Sequence, residues 1–207
     1  MPKPTKTRKT AFLSAYYKVG LEGFARELVA LGWNLWGSSG TAKYLNAAGI
    51  AVRDVSEFVG EPILGHRVVT LSREIHAALL ATESEEDQLQ LDFIGIPRID
   101  LVYVDLYPLK EATERPGGTL ESVIEVTDIG GPTLLRSAAK GRRIVVSSLD
   151  QFSSVLRFIK AEAVKPNKEK ASRFLSFLAG AAEIKVAAYC AVSGAFHSLR
   201  GADYPED

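Results

Sequence analysis

Cysteine is almost absent from this 207-residue chain: Cys190 stands alone, which excludes an internal disulfide and a cysteine-based zinc site. Histidine is nearly as scarce. His66, His76 and His197 lie far apart without ligand spacing, so no metal centre is expected. Neither sign of charge prevails, with 25 Lys+Arg against 25 Asp+Glu, so bulk electrostatics gives no reason to expect a nucleic-acid or membrane partner. By inspection no stretch approaches the apolar length of a membrane span. Lys3, Lys6, Arg8 and Lys9 are not followed by the apolar run of a secretory signal. Residues 1–10 are therefore expected to form a disordered basic arm on a cytoplasmic protein.

What is present is an alternation of short apolar runs and helical periodicities. Ala11–Ala15 is expected as a buried strand; Leu21, Phe24, Ala25, Leu28 and Leu31 then fall at helical spacing up to Gly32. Strands are expected at Trp33–Trp36, Ile50–Val52, Ile99–Leu106 and Ile144–Ser147. Helices are expected at Ala42–Ala48, Leu71–Ala81 (with an acidic continuation to Gln90), Leu120–Val126 and Gln151–Ala163. Glu57–Gly65 reads as a loop. From Lys168 to about Ser198 the chain is helical by pattern, with Phe174, Phe177, Leu178 and Ala181 on one face. Such alternation implies an α/β fold, a parallel sheet with helices on both faces. The domain is expected over residues 11–165, and residues 166–207 as a C-terminal helical extension serving packing or dimer contact.

Sheets of this kind bind ligands at the carboxyl ends of their strands, and the distinctive loops fall there. Gly37-Ser38-Ser39-Gly40-Thr41 offers backbone N–H groups, hydroxyls and a helix N-terminus, which suit a phosphate monoester and equally an ordinary N-cap turn. Lys18 adds a point charge or is a plain loop lysine. Tyr107 ends the longest strand, where its hydroxyl can donate to a developing oxyanion or be a satisfied core group. Arg67 and Thr70 precede a helix that either a substrate anion or a cap would explain. His76 reads as a packed histidine.

The stretch Thr127-Asp128-Ile129-Gly130-Gly131-Pro132 opens a further helix. Pro132 suits the first helical position and Gly131 the N-cap, which leaves Asp128 free for chemistry beside an anion corner. Lys140 closes that helix, where the dipole alone favours a cation.

Taken together, Leu13-Ser14, Lys18, Ser39-Gly40-Thr41-Ala42-Lys43, Val52 to Glu57, Arg67, Thr70-Leu71, Ile75-His76, Leu106-Tyr107-Pro108 and Asp128 to Thr133 resemble the inosine monophosphate cyclohydrolase domain of bifunctional purine-biosynthesis proteins. The resemblance holds in order and spacing from about Ala11 to Lys140. It implies a methylglyoxal-synthase-like α/β fold, a homodimer, no cofactor and no metal. The implied reaction is dehydrative ring closure of 5-formamidoimidazole-4-carboxamide ribotide to inosine monophosphate. By resemblance Ser14, Lys18 and Ser38, Ser39, Gly40 and Thr41 bind the 5′-phosphate end, and Arg67 and Thr70 the nucleotide. The backbone of Asp128, Ile129, Gly130 and Gly131 would face the base, and Tyr107, Asp128 and Lys140 would catalyse. The formyltransferase domain that normally follows is missing, which implies a free-standing module with a separate formyltransferase partner.

Several positions depart from the family pattern. Its Lys-Thr-Leu-His run is Val69-Thr70-Leu71-Ser72, so a cation is gone; if it stabilised the oxyanion, the loss costs about 2–4 kcal/mol of barrier. The serine and aspartate before the loop lysine are Tyr16 and Tyr17, a glycine pair is Ser39-Gly40, an asparagine is Asp105, and the closing Asn-His is Gly141-Arg142. An alternative reading is a catalytically weakened relative, a sensor or regulatory module for a purine nucleotide or another phosphorylated metabolite. Methylglyoxal synthase itself finds no matching Gly-Asp pair. The helix from Pro132 to Lys140 would also be about 13 Å long, which separates Asp128 from Lys140 unless the chain bends, the lysine reaches back or a second subunit contributes.

Overall fold

A computed structural model describes residues 8–65 and 67–200. Most of the basic arm, His66 and the last seven residues lie outside the described residues. Thr10, assigned above to the arm, already belongs to the first strand.

Five parallel strands lie side by side in the order β3-β2-β1-β4-β5: β1 (Thr10–Ala15), β2 (Asn34–Gly37), β3 (Arg53–Asp54), β4 (Leu101–Asp105) and β5 (Ile144–Val146). Every residue of Ala11–Leu13 and Leu101–Val104 is buried, so both pleat faces of the central strands are covered. The covering helices include α1 (Leu21–Ala30), α2 (Ser39–Ala47), α3 (Ser56–Val59), α4 (Arg73–Leu80), α5 (Glu85–Ile94) and α6 (Leu109–Glu114). After them come α7 (Leu120–Glu125), α8 (Gly130–Lys140), α9 (Phe152–Val164) and α10 (Lys168–Arg200). Phe24 of α1 stacks on Phe152 of α9 at 4.1 Å, and Tyr103 of β4 meets the same ring edge-on at 4.8 Å. Such pairs add about 0.5–1.5 kcal/mol each to the area they bury.

The α/β alternation holds, with local shifts that have physical causes. The third strand is not Ile50–Val52 but the two residues after it. The Asn46 side chain donates to the Val52 carbonyl (2.8 Å) and accepts its N–H (3.0 Å), taking the bonds a strand neighbour would otherwise make. The expected loop at Glu57 begins as α3, because Asp54 Oδ1 accepts the Ser56 N–H. The acidic continuation after Ala81 is a separate helix, started by Ser84 accepting the Asp87 N–H at 3.2 Å. Helix α6 follows Tyr107-Pro108, in a stretch not among the helices expected from the sequence, and is held by the buried Leu109.

Helix α10 also corrects two expectations. By length and hydropathy it passes the test for a membrane-crossing helix, contrary to the absence inferred from inspection. It packs on α8, β5 and α6. Leu178, Ala182 and Val186 form its buried stripe at i, i+4 spacing, whereas Phe177 is 63% exposed. Each fully buried aliphatic side chain contributes about 1.5–3 kcal/mol, which is enough to seat the helix along the domain.

Candidate active site at the sheet's switch point

The strand order reverses between β1 and β4, so their connections leave in opposite directions and open a crevice at their carboxyl ends. Ala15 and Asp105 are register partners there, and the Tyr16 N–H donates to the Asp105 carbonyl at 3.3 Å. The rings of Tyr16 and Tyr107 meet directly over this point at 5.1 Å, and Tyr17 lies edge-on to Tyr16 at 4.9 Å. These tyrosines are 43–46% exposed, an aromatic shelf at the mouth of the crevice.

One wall is built by β1, β2 and the start of α2. Helix α2 begins at Ser39, one turn earlier than its hydrophobic periodicity suggests, with Ser38 as N-cap, no side-chain cap and no acid in its first turn. Its positive end is therefore open to an anion. Ser14 Oγ donates to Ser38 Oγ (3.2 Å), Ser38 Oγ to Thr41 Oγ1 (3.1 Å), and Thr41 Oγ1 accepts the Ala15 N–H (3.1 Å). The Lys18 ammonium donates to the Ala15 carbonyl and lies 3.5 Å from Thr41 Oγ1. Burial pulls the Lys18 ammonium below its ordinary pKa, with the Asp105 charge acting against that. Ser14, Lys18, Ser38 and Thr41 thus form one hydroxyl and ammonium network. Gly40 is exposed beside it, while Ser39 turns away to donate to Asp54 at 2.9 Å.

The other wall is the turn into α8. The helix opens at Gly130, not Pro132, because Asp128 Oδ1 accepts the Gly131 N–H at 2.9 Å. The two glycine amides thus hold the Asp128 carboxylate, and the expectation of an uncommitted aspartate beside an open anion corner is corrected. A side chain at Gly130 would stand 2.5 Å from Thr70 Oγ1, and one at Gly131 would collide with Asp128 and lie 2.7 Å from Leu106. This close approach gathers Thr70, Leu106, Asp128, Gly130 and Gly131 into one unit. Ile129 projects outward, 60% exposed, and Arg67 pairs with Glu125 at 3.1 Å on the rim.

Burial raises the Asp128 pKa against the pull of the Gly131 and Gly130 amides. Burial, and then the Asp128 charge, raises the Tyr107 pKa. The pair therefore offers a tyrosine that keeps its proton well past neutrality and a carboxylate displaced toward neutral pH.

Lys140 does not join them within one chain. Helix α8 carries it about 16 Å away along the axis, to the amino ends of the strands. There it lines a different cavity of about 940 Å3 with Lys9, Trp33, Arg98, Arg142 and Arg143. His76 is packed: Nδ1 lies 2.9 Å from Ser137 Oγ, and burial lowers its pKa. Among the described residues no three His, Cys, Asp or Glu side chains gather as a metal would require.

Two contributors have no motif to announce them. Tyr189 of α10 accepts the Asp128 N–H at 2.7 Å, and Lys185, one turn earlier, lies 3.9 Å from Asp105 Oδ1. Asp105, where the resembled family has asparagine, is thereby paired, and its other oxygen accepts the Tyr17 N–H at 2.8 Å.

These features define an open parallel α/β domain whose switch-point crevice has an uncapped helix N-terminus on one side and a tyrosine–carboxylate pair on the other. The MGS-like domain model matches residues 20–133. A relative called bifunctional purine biosynthesis protein PurH, from Desulfitobacterium hafniense (strain DSM 10664 / DCB-2), is 43% identical over 157 residues; the match takes in 74% of this chain and 30% of the relative. The protein of the same name from Thermosynechococcus vestitus is 45% identical over 73% of this chain and 30% of its own. The chain thus spans under a third of the length of these curated relatives. A solved structure described as the crystal structure of ForH superposes with a TM-score of 0.77 at 31% identity, covering 92% of this chain and all of that one. This chain belongs to the MGS-like domain family.

Proposed function

We propose that this protein is an inosine monophosphate cyclohydrolase, closing the purine ring of 5-formamidoimidazole-4-carboxamide ribotide with loss of water. The observation that carries the reading is the packing of Asp128 and Leu106, the residue before Tyr107, around Gly131 beside the Lys18–Thr41 network, in a chain 43% identical over 157 residues to PurH. The 5′-phosphate sits at the start of α2, where a first turn without a side-chain cap, Ser38, Thr41 and Lys18 meet its charge. The imidazole ring then extends toward Tyr107 and Asp128, with Thr70 and the rim Arg67 beside it.

In the first step the carboxamide nitrogen forms a bond to the formyl carbon and gives a proton to Asp128. The formyl oxygen takes up charge and accepts the proton of the Tyr107 hydroxyl. In the second step the former formamide nitrogen gives its proton to the Tyr107 oxygen, the C–OH bond breaks, and the hydroxyl leaves as water with the proton that Asp128 took up, so both residues return to their starting states. General acid–base help of this kind contributes roughly 10²–10⁴-fold. No cofactor enters the scheme.

The functional unit in this proposal is a cytoplasmic homodimer. The exposed Phe177, Ile184 and Leu199 of α10 supply an apolar face for such pairing. Lys140 can reach a crevice only from a second copy.

One observation favours a second reading, a weakened relative that binds a purine nucleotide monophosphate without efficient turnover. Val69 packs against the core, and Ser72 caps α4 by accepting the Ile75 N–H at 3.1 Å, so both replacements of the family pattern have structural roles and neither brings a charge.

Mass spectrometry tests the proposal. Incubation with the formylated ribotide yields a product lighter by one water that comigrates with inosine monophosphate; recovery of unchanged substrate contradicts it.

A further inference from the structure

The C-terminal helix has been treated so far as packing, yet one of its hydroxyls touches the backbone of the proposed base. Tyr189 Oη accepts the Asp128 N–H at 2.7 Å and is 3.4 Å from the Val126 carbonyl, bridging both ends of that turn. The Asp128 carboxylate accepts the Gly131 N–H at the start of α8, within the turn that Tyr189 holds. Backbone and side chain of one residue are thus held from two different helices. Four residues earlier on the same face of α10, Lys185 faces Asp105, which holds the Tyr17 backbone across the crevice. Both residues lie outside residues 20–133, which the MGS-like domain model matches.

We infer that Tyr189 is a positioning residue for the reaction, its hydroxyl setting where the Asp128 carboxylate stands. The inference rests on the proposed cyclohydrolase reading for what Asp128 does, and on geometry alone for the anchor. Ring packing cannot substitute for the hydroxyl. A phenylalanine fills nearly the same space but offers no acceptor, so the Asp128 N–H must seek water, and the turn moves to reach it. The carboxylate moves with it. Proton transfer depends on distance and alignment, and a displacement near 1 Å is worth about a hundredfold in rate.

The test is Tyr189→Phe in the full chain, with Tyr189→Leu as the packing control. Tyr189→Phe is expected to lower kcat at least about tenfold while KM stays within about twofold, and to shift the acid limb of the kcat–pH profile. Hydrogen exchange of the Val126–Asp128 amides is expected to quicken by a similar factor while β1 and β4 amides keep their protection. Wild-type kcat, pH profile and exchange in Tyr189→Phe, with loss confined to Tyr189→Leu, would show that only packing matters and overturn the inference. If the unmodified protein closes no ring, the cyclohydrolase reading fails, and amide exchange decides the anchor alone. Faster exchange in Tyr189→Phe then upholds it, and unchanged exchange overturns it.

Discussion

Gly130 lies so close to Thr70 that a methyl group on its α-carbon would stand 2.5 Å from the threonine hydroxyl. The next glycine is tighter still, since a side chain at Gly131 would meet both the Asp128 carboxylate and Leu106. Glycine is required here by the closeness of its neighbours, not by an unusual backbone angle.

Gly131→Ala should therefore displace Asp128 or push α8 from β4. Overpacking of this kind costs about 1–3 kcal/mol, which for a domain of this size lowers the unfolding midpoint by roughly 2–12 °C. Thermal unfolding followed by circular dichroism checks it; a wild-type midpoint would mean that the turn yields freely. Activity is expected to fall with the midpoint.

Asp128→Asn separates catalysis from stability. The folded-state pKa of Asp128 is raised by burial, so the folded protein prefers the protonated form more than the unfolded chain does. Stability from this group is fully present below the unfolded pKa and is lost as pH rises through the folded pKa. Asparagine keeps an acceptor for the Gly131 N–H without the buried charge. The variant should equal or exceed the wild-type melting temperature at pH 8, with the advantage shrinking at pH 4, while kcat falls by roughly 10²–10⁴. Lower stability of the variant at pH 8 would contradict the burial argument.

Val69→Lys restores a cation beside Thr70. If the second reading is right and the chain lacks an oxyanion donor, kcat should rise by up to about 10²–10³. An unchanged or reduced rate, with the fold intact by circular dichroism, would contradict the idea that a missing cation at this position limits the rate.

Lys140 gives a test of assembly. In a two-fold dimer whose crevices each take Lys140 from the other copy, Lys140→Ala and Asp128→Asn chains are each inactive alone. Mixed and refolded together, they should recover about a quarter of the wild-type sites, because half the dimers are mixed and each has one complete site. Activity of Lys140→Ala near wild type would remove this residue from catalysis.

The parallel sheet was legible because its central strands are short apolar runs separated by helical periodicity, as in Ala11–Ala15 and Leu101–Val104. The clustering of Ser14, Lys18, Ser38 and Thr41 was legible for a related reason: they lie at the carboxyl ends of β1 and β2, where the topology forces them together. The capping role of Asp128 was not, since Gly131-Pro132 reads equally well as the start of a helix. The contribution of α10 was invisible. Tyr189 reaches Asp128 across 61 positions of sequence, and the narrow stripe of Leu178, Ala182 and Val186 says only that one side of the helix is buried. The pairing of Asp105 with Lys185 depends on the same long-range packing.

Ring closure itself is the most direct test of the account. Purified protein is given 5-formamidoimidazole-4-carboxamide ribotide and followed by ultraviolet absorbance, with inosine monophosphate binding measured in parallel by calorimetry. The account predicts turnover that Asp128→Asn and Tyr107→Phe each reduce by roughly 10²-fold or more, with binding retained. Absence of turnover at micromolar protein, with inosine monophosphate still bound, would contradict the cyclohydrolase reading and leave a nucleotide-binding relative in its place.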